Sequence, residues 1–90
     1  MDDKKSHEHK AITGAQIRAA RALIGWSAYD LAGKASLGVS TIRRAERPDR
    51  PMAMTVSNLA AVRRALRAAG IDFTFDAEGG SGVSLRKKKA

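Results

Sequence analysis

The sequence predicts a mainly α fold: four short helices followed by a short C-terminal β-hairpin or strand pair. Three observations predict it. Apolar residues recur at helical spacing in separate segments between residues 13 and 69. Hydroxyl side chains stand at capping positions before three of those segments, at Thr13, Ser27 and Thr55. After Gly70 the apolar period changes to two, in Ile71-Asp72-Phe73-Thr74-Phe75.

The first helix begins after Thr13, which forms a Thr-x-x-Gln capping box with Gln16, and carries Ile17, Ala20, Leu23 and Ile24 before Gly25 ends it. The second begins after Ser27, with Asp30 at the capping-box position and near the positive end of the helix dipole. Its apolar face is Leu31, Ala32 and Ala35, and it must stop near 34–36. Gly38 lets the chain turn before Val39 opens a third helix through Ile42 and Ala45. Pro48 disfavours helical geometry at Arg47, so this helix ends near Glu46. A stiff connector, Arg47-Pro48-Asp49-Arg50-Pro51, leads to the fourth helix. Its stripe is Val56, Leu59, Val62, Leu66 and Ala69, and it closes at Gly70. Two strands are then expected, at Ile71–Phe75 and Val83–Leu85, around a Gly-rich turn from Asp76 to Gly82.

Ninety residues allow one small domain, and 43% hydrophobic content with only 4% aromatic demands a core of Ala, Leu, Ile and Val. The chain has no cysteine, hence no disulfide and no thiolate metal site. No apolar run approaches the roughly 20 residues of a bilayer span, and MDDKKSHEHK lacks the apolar stretch of a signal peptide. A cytoplasmic protein is expected. The net charge is +8, and it lies outside the first twelve residues, whose charges cancel. Such a basic surface implies a polyanionic partner, nucleic acid or an acidic membrane face.

Two short helices joined by a tight turn, preceded by a third, form a helix-turn-helix unit. Leu31 and Ala32, Leu37 in the turn, and Ile42 and Ala45 point inward, and Ala32 is small where two backbones approach. The complementary face of the third helix is Val39, Ser40, Arg43, Arg44 and Arg47. Residues 13–46, TGAQIRAARALIGWSAYDLAGKASLGVSTIRRAE, resemble the lambda-repressor-like helix-turn-helix family (Cro/CI type, XRE family). Arg21, the Gly25-Trp26-Ser27 junction, Leu31-Ala32, Leu37, Thr41-Ile42 and Glu46 carry the resemblance. It continues more loosely to residue 86, where Gly-Ile-x-Phe and Gly-Gly-x-Gly-Val look like the ending of small bacterial members.

The resemblance implies a sequence-specific regulator of double-stranded DNA, with the helix at 39–46 in the major groove. Arg21 matches the arginine that pairs with the glutamate closing that helix, here Glu46, and such a pair can be bidentate. Val39, Ser40, Arg43 and Arg44 match positions that reach base edges; Ser27 and Ala28 match positions near phosphates. The chain departs from the family pattern at Ala28, where glutamine is common, and at Ala45, where a larger aliphatic is usual. At Ser36 and Gly38 the usual glycine and hydroxyl residue look exchanged.

An arginine paired with guanine is worth about 1–3 kcal/mol of discrimination, so Arg43 or Arg44 is expected to read a base. Arg47 and Arg50, past the helix end, are placed for phosphates. Trp26 is read as a packing residue at the first junction, as are Met52 and Met54 near the connector. The basic end, Lys87 to Lys89, is read as solubilising. His7 and His9 flank Glu8, short of the three or four fixed donors of a metal site.

The chain thus divides into a disordered N-terminal tail (1–11), a helix-turn-helix DNA-binding domain (12–70), a β segment (71–86) and a basic tail (87–90). A two-stranded hairpin alone is marginally stable, so the β segment either lies on the helices of its own chain or pairs with its copy in a second chain. Because the resemblance implies a dimer, it is expected, with part of the fourth helix, to supply the interface through Ile71, Phe73, Phe75, Val83 and Leu85. The resemblance implies a homodimer on a palindromic operator, with half-sites roughly 34 Å apart. The length leaves no room for an effector domain, which favours a repressor over an activator. The alternative is a protein-binding helix-turn-helix module such as an antitoxin or antiactivator. No catalytic set and no phosphate-cradling loop is legible, so neither an enzyme nor a cofactor is expected. The operator, the regulated genes and any effector are not legible.

Overall fold

The computed structural model describes residues 12–49 and 53–87, which form four helices and a two-stranded antiparallel sheet. The helices are α1 (Gly14–Ile24), α2 (Ala28–Ala35), α3 (Val39–Ala45) and α4 (Val56–Ala68); the strands are β1 (Ile71–Phe75) and β2 (Ser81–Leu85). Expectations for the N-terminal tail, Arg50, Met52 and the last two lysines lie outside the described residues.

The caps read from the sequence are made by hydrogen bonds. Thr13 Oγ1 accepts from the Gln16 amide at 3.1 Å, and Gln16 Oε1 accepts from the Thr13 amide at 2.8 Å. Ser27 and Asp30 repeat the arrangement at 3.0 and 2.8 Å, and Thr55 Oγ1 accepts from the Asn58 amide at 3.1 Å. Ile12 precedes the first cap and is buried with Ile17, the pairing of a hydrophobic staple. Both α1 and α2 end in Schellman motifs: the Trp26 amide reaches the Arg21 carbonyl at 3.0 Å, and the Leu37 amide reaches the Ala32 carbonyl at 2.9 Å.

The left-handed residues in these motifs are Gly25 (φ 71°) and Ser36 (φ 58°). Gly38 was expected to let the chain turn, but it sits in extended geometry, φ −73°, and caps α3 with no side chain. The turn is made by Ser36, a serine in a conformation that costs L-residues about 1–2 kcal/mol.

Ile17, Leu31, Ile42, Val62, Leu66 and Ile71 are the largest fully buried side chains, so the four helices and β1 each supply a fully buried residue to one core, and β2 packs Val83 against it. Two positions of the expected stripes lie outside it. Leu23 is 46% exposed and Val56 is 88% exposed. At about 100° per residue, Leu23 falls about 60° outside the arc set by Ile17, Ala20 and Ile24. Val56 is the first residue of α4.

The strands pair within the chain, Ile71 opposite Leu85 and Phe75 opposite Ser81. β2 begins two residues earlier than the alternation of Val83 and Leu85 predicts, because Asp76 tightens the turn. Its Oδ1 accepts from the amides of Glu78 and Gly80 at 3.0 and 2.6 Å. The hairpin is tied to the helices. Gln16 Nε2 donates to the carbonyls of Gly82 (2.9 Å) and Thr74 (3.4 Å), one on each strand. Arg86 Nη2 donates to the Arg67 carbonyl at the end of α4, and Nη1 pairs with Asp72 Oδ1, both at 2.6 Å.

This corrects the dimerisation set. Ile71 is fully buried inside its own chain and cannot face a second copy. Phe73, Phe75 and Val83 pack partly against the same core, which leaves Leu85, 46% exposed, as the most open of the five.

Candidate nucleic-acid interface

α3 is too short to persist alone and is held from three sides. Ile42 and Ala45 anchor it in the core. Its C-terminal end is gripped by α1: Arg21 Nε and Nη2 donate to Glu46 Oε2 and Oε1 at 2.8 and 2.7 Å, a bidentate fork. Arg21 Nη1 continues to the Trp26 carbonyl at 3.0 Å, and Arg18 Nη1 donates to the Glu46 carbonyl. The hydrogen bonds to Glu46 raise Arg21 further above its already high pKa, against the opposing effect of burial. Gly14 completes the grip, since a Cβ there would lie 2.4 Å from the Ala45 carbonyl oxygen.

With that side fixed, α3 presents Ser40, Arg43 and Arg44 to solvent, and Val39 is half-buried against the core. The two arginines differ. Arg43 Cζ lies over the ring of Tyr29, 5.3 Å from its centroid, whereas the Arg44 guanidinium has no hydrogen bond or ion pair among the described residues. The Ser27 hydroxyl is engaged as the α2 cap. Ala28 is half-buried and offers only backbone polar groups. Arg47 is held by Asp49 through contacts of 3.2 and 3.0 Å. Those hydrogen bonds, with one from the Asp49 backbone, keep the Asp49 carboxyl below the usual carboxylate range.

Trp26 is half-buried against the core, with the Lys34 ammonium 6.0 Å from its ring, which agrees with a packing role. Met54 packs there as well.

Four contributors escaped the sequence reading: Gly14, Arg18, Tyr29 and Arg86. A glycine in the first turn of a helix, where it is disfavoured, and an aromatic off the apolar stripe were the legible signals for Gly14 and Tyr29. Arg18 and Arg86 carried none: Arg18 meets the Glu46 backbone carbonyl, and Arg86 meets the Arg67 carbonyl and the Asp72 carboxylate, partners brought near only by the fold.

Among the described residues no helix is long and apolar enough to cross a membrane. No protein-family model matches the chain, and no curated protein matches it in sequence.

Proposed function

We propose that this chain is a sequence-specific double-stranded DNA-binding transcriptional regulator of the lambda-repressor-like helix-turn-helix type, acting as a repressor in the cytoplasm on nucleoid DNA. The observation that carries the reading is a clamped α3 whose exposed face is Ser40, Arg43 and Arg44 on a +8 chain. Phosphate attraction supplies affinity and base-edge contacts from α3 supply preference. A homodimer on a palindromic operator fits this reading, with Leu85 on its contact face. No catalytic role or cofactor enters it.

Selection of bound duplexes from a random pool at defined salt tests it. A consensus that the Arg43→Ala/Arg44→Ala double variant loses is expected; a double variant that selects the same consensus overturns the assigned readout.

A second reading is a protein-binding module. An open groove of about 780 Å³ between Ile24, Ala68, Ala69, Gly70 and Leu85 favours it. Binding of random DNA without preference, together with a stoichiometric protein complex from the native host, would select this second reading.

A further inference from the structure

Tyr29 is 66% exposed and stands outside the core cluster, so its ring is not explained by packing. It lies in the first turn of α2, and among the described residues its ring contact is with Arg43 across the helix-turn-helix, 5.3 Å from centroid to Cζ. Arg44, adjacent in sequence and also exposed, lies over no ring among the described residues. Two neighbouring arginines on one face therefore differ in how firmly their heads are held.

We propose that Tyr29 is a positioning residue that orders the Arg43 guanidinium for base recognition, so that Arg43, not Arg44, is the specificity-determining arginine. The inference rests on the DNA-binding reading. A long arginine side chain loses much rotamer freedom when it binds. Attraction of the guanidinium to the ring it lies over removes part of that freedom beforehand. A ring face takes up none of the carboxylate- or carbonyl-type acceptors that the N–H fork pairs with, and that fork is what meets O6 and N7 of guanine. Contact with the ring and base reading are thus compatible on one side chain. Arg44, unheld, serves phosphate attraction, which tolerates a mobile charge.

The test uses the full chain in two arms. In the free protein, the Arg43 side-chain NMR resonances are expected to carry a ring-current shift that persists in Tyr29→Phe and vanishes in Tyr29→Leu and Tyr29→Ala. In duplex selection at fixed salt, Arg43→Ala identifies the base pairs that Arg43 reads. At those base pairs Tyr29→Leu and Tyr29→Ala lower the preference about two- to fivefold, the range of an exposed cation–π contact. Tyr29→Phe keeps the wild-type preference, and Arg44→Ala lowers affinity for all sequences alike.

The proposal is overturned if the Arg43 resonances are unshifted in the wild type. It is also overturned if the ring-less variants keep the full preference, or if they and Tyr29→Phe weaken all sequences equally, as loss of a hydroxyl–phosphate contact would. A wild-type protein with no preference at all defeats the DNA-binding reading itself. A wild-type protein that selects while Tyr29→Ala is indistinguishable from it defeats only the role of Tyr29.

Discussion

Arg21 and Glu46 are 25 positions apart and meet through two parallel hydrogen bonds of 2.8 and 2.7 Å, with the Glu46 side chain only 8% exposed. This fork joins the last turn of α1 to the residue that closes α3. Removing Arg21 leaves a nearly buried carboxylate without its partner, which costs more than the pair itself contributes. Arg21→Ala is expected to destabilise by about 2–3 kcal/mol, and Arg21→Lys to recover less than half, since an ammonium cannot reproduce the fork. Urea unfolding measures both; a loss under about 1 kcal/mol for Arg21→Ala would mean that the pair is only a surface contact.

Gly14 offers a prediction whose sign is unusual. Alanine in a helix is normally favoured over glycine by about 1 kcal/mol. Here the added Cβ would meet the Ala45 carbonyl at 2.4 Å and Glu46 Cα at 3.0 Å. Gly14→Ala is therefore expected to destabilise by about 1–3 kcal/mol, read as a lowered thermal midpoint. A raised midpoint refutes the close approach of α1 and α3.

The turn between α2 and α3 carries two suboptimal residues in each other's places. Ser36 occupies the left-handed region, and Gly38 caps α3 with no side-chain acceptor and open space where its Cβ would be. Ser36→Gly is expected to stabilise by about 0.5–1 kcal/mol, the left-handed cost less the extra freedom of glycine when unfolded. Gly38→Ser should add a few tenths of a kcal/mol. Chemical denaturation of each single variant checks the pair, and destabilisation by Ser36→Gly contradicts the assigned turn.

Asp49 holds Arg47 at the exit of α3. Its depressed carboxyl pKa means that the pair's contribution is present above the unfolded value, near 4, and is lost as pH falls through the lower folded value. Both side chains are exposed, so stability near neutral pH is expected to change little in Arg47→Ala, while the Asp49 titration moves up toward its ordinary midpoint by NMR. Asp49→Asn frees Arg47 for a phosphate. DNA affinity is then expected to rise, and the salt dependence to steepen by up to about 0.9 in log–log slope; an unchanged slope removes Arg47 from the phosphate contacts.

The proposed homodimer makes Leu85 its contact residue. Deleting the hairpin would also remove Ile71 from the core and the Gln16 contacts, so a point variant is the cleaner probe. Leu85→Asp is expected to halve the sedimentation mass with the fold retained. A wild-type chain that sediments as a monomer at micromolar concentration excludes this face as a stable dimer contact.

The local grammar was legible because caps and period are short-range. Thr13, Ser27 and Thr55 each find their acceptor role within three residues, and the change of period after Gly70 marks the strands without reference to the rest of the chain. Leu23 and Val56 were misread because an apolar stripe records which positions could face a partner, not where the partner ends. Tyr29 stood out only as an aromatic with no stripe to join, and its relation to Arg43 depends on how α2 crosses α3.

By itself, then, the sequence determined four helices, two C-terminal strands, the inward set around Leu31 and Ile42, and a short helix bearing two adjacent arginines. Those follow from hydrogen bonds and periodicities spanning a few residues. Only the tertiary structure decided that the strands pair within the chain, that Ile71 belongs to its own chain's core, that Gly14 must be small, and that Arg43 lies over the Tyr29 ring. Each of these is a contact between distant segments, and contacts of that kind are set by the packing of whole elements around one core.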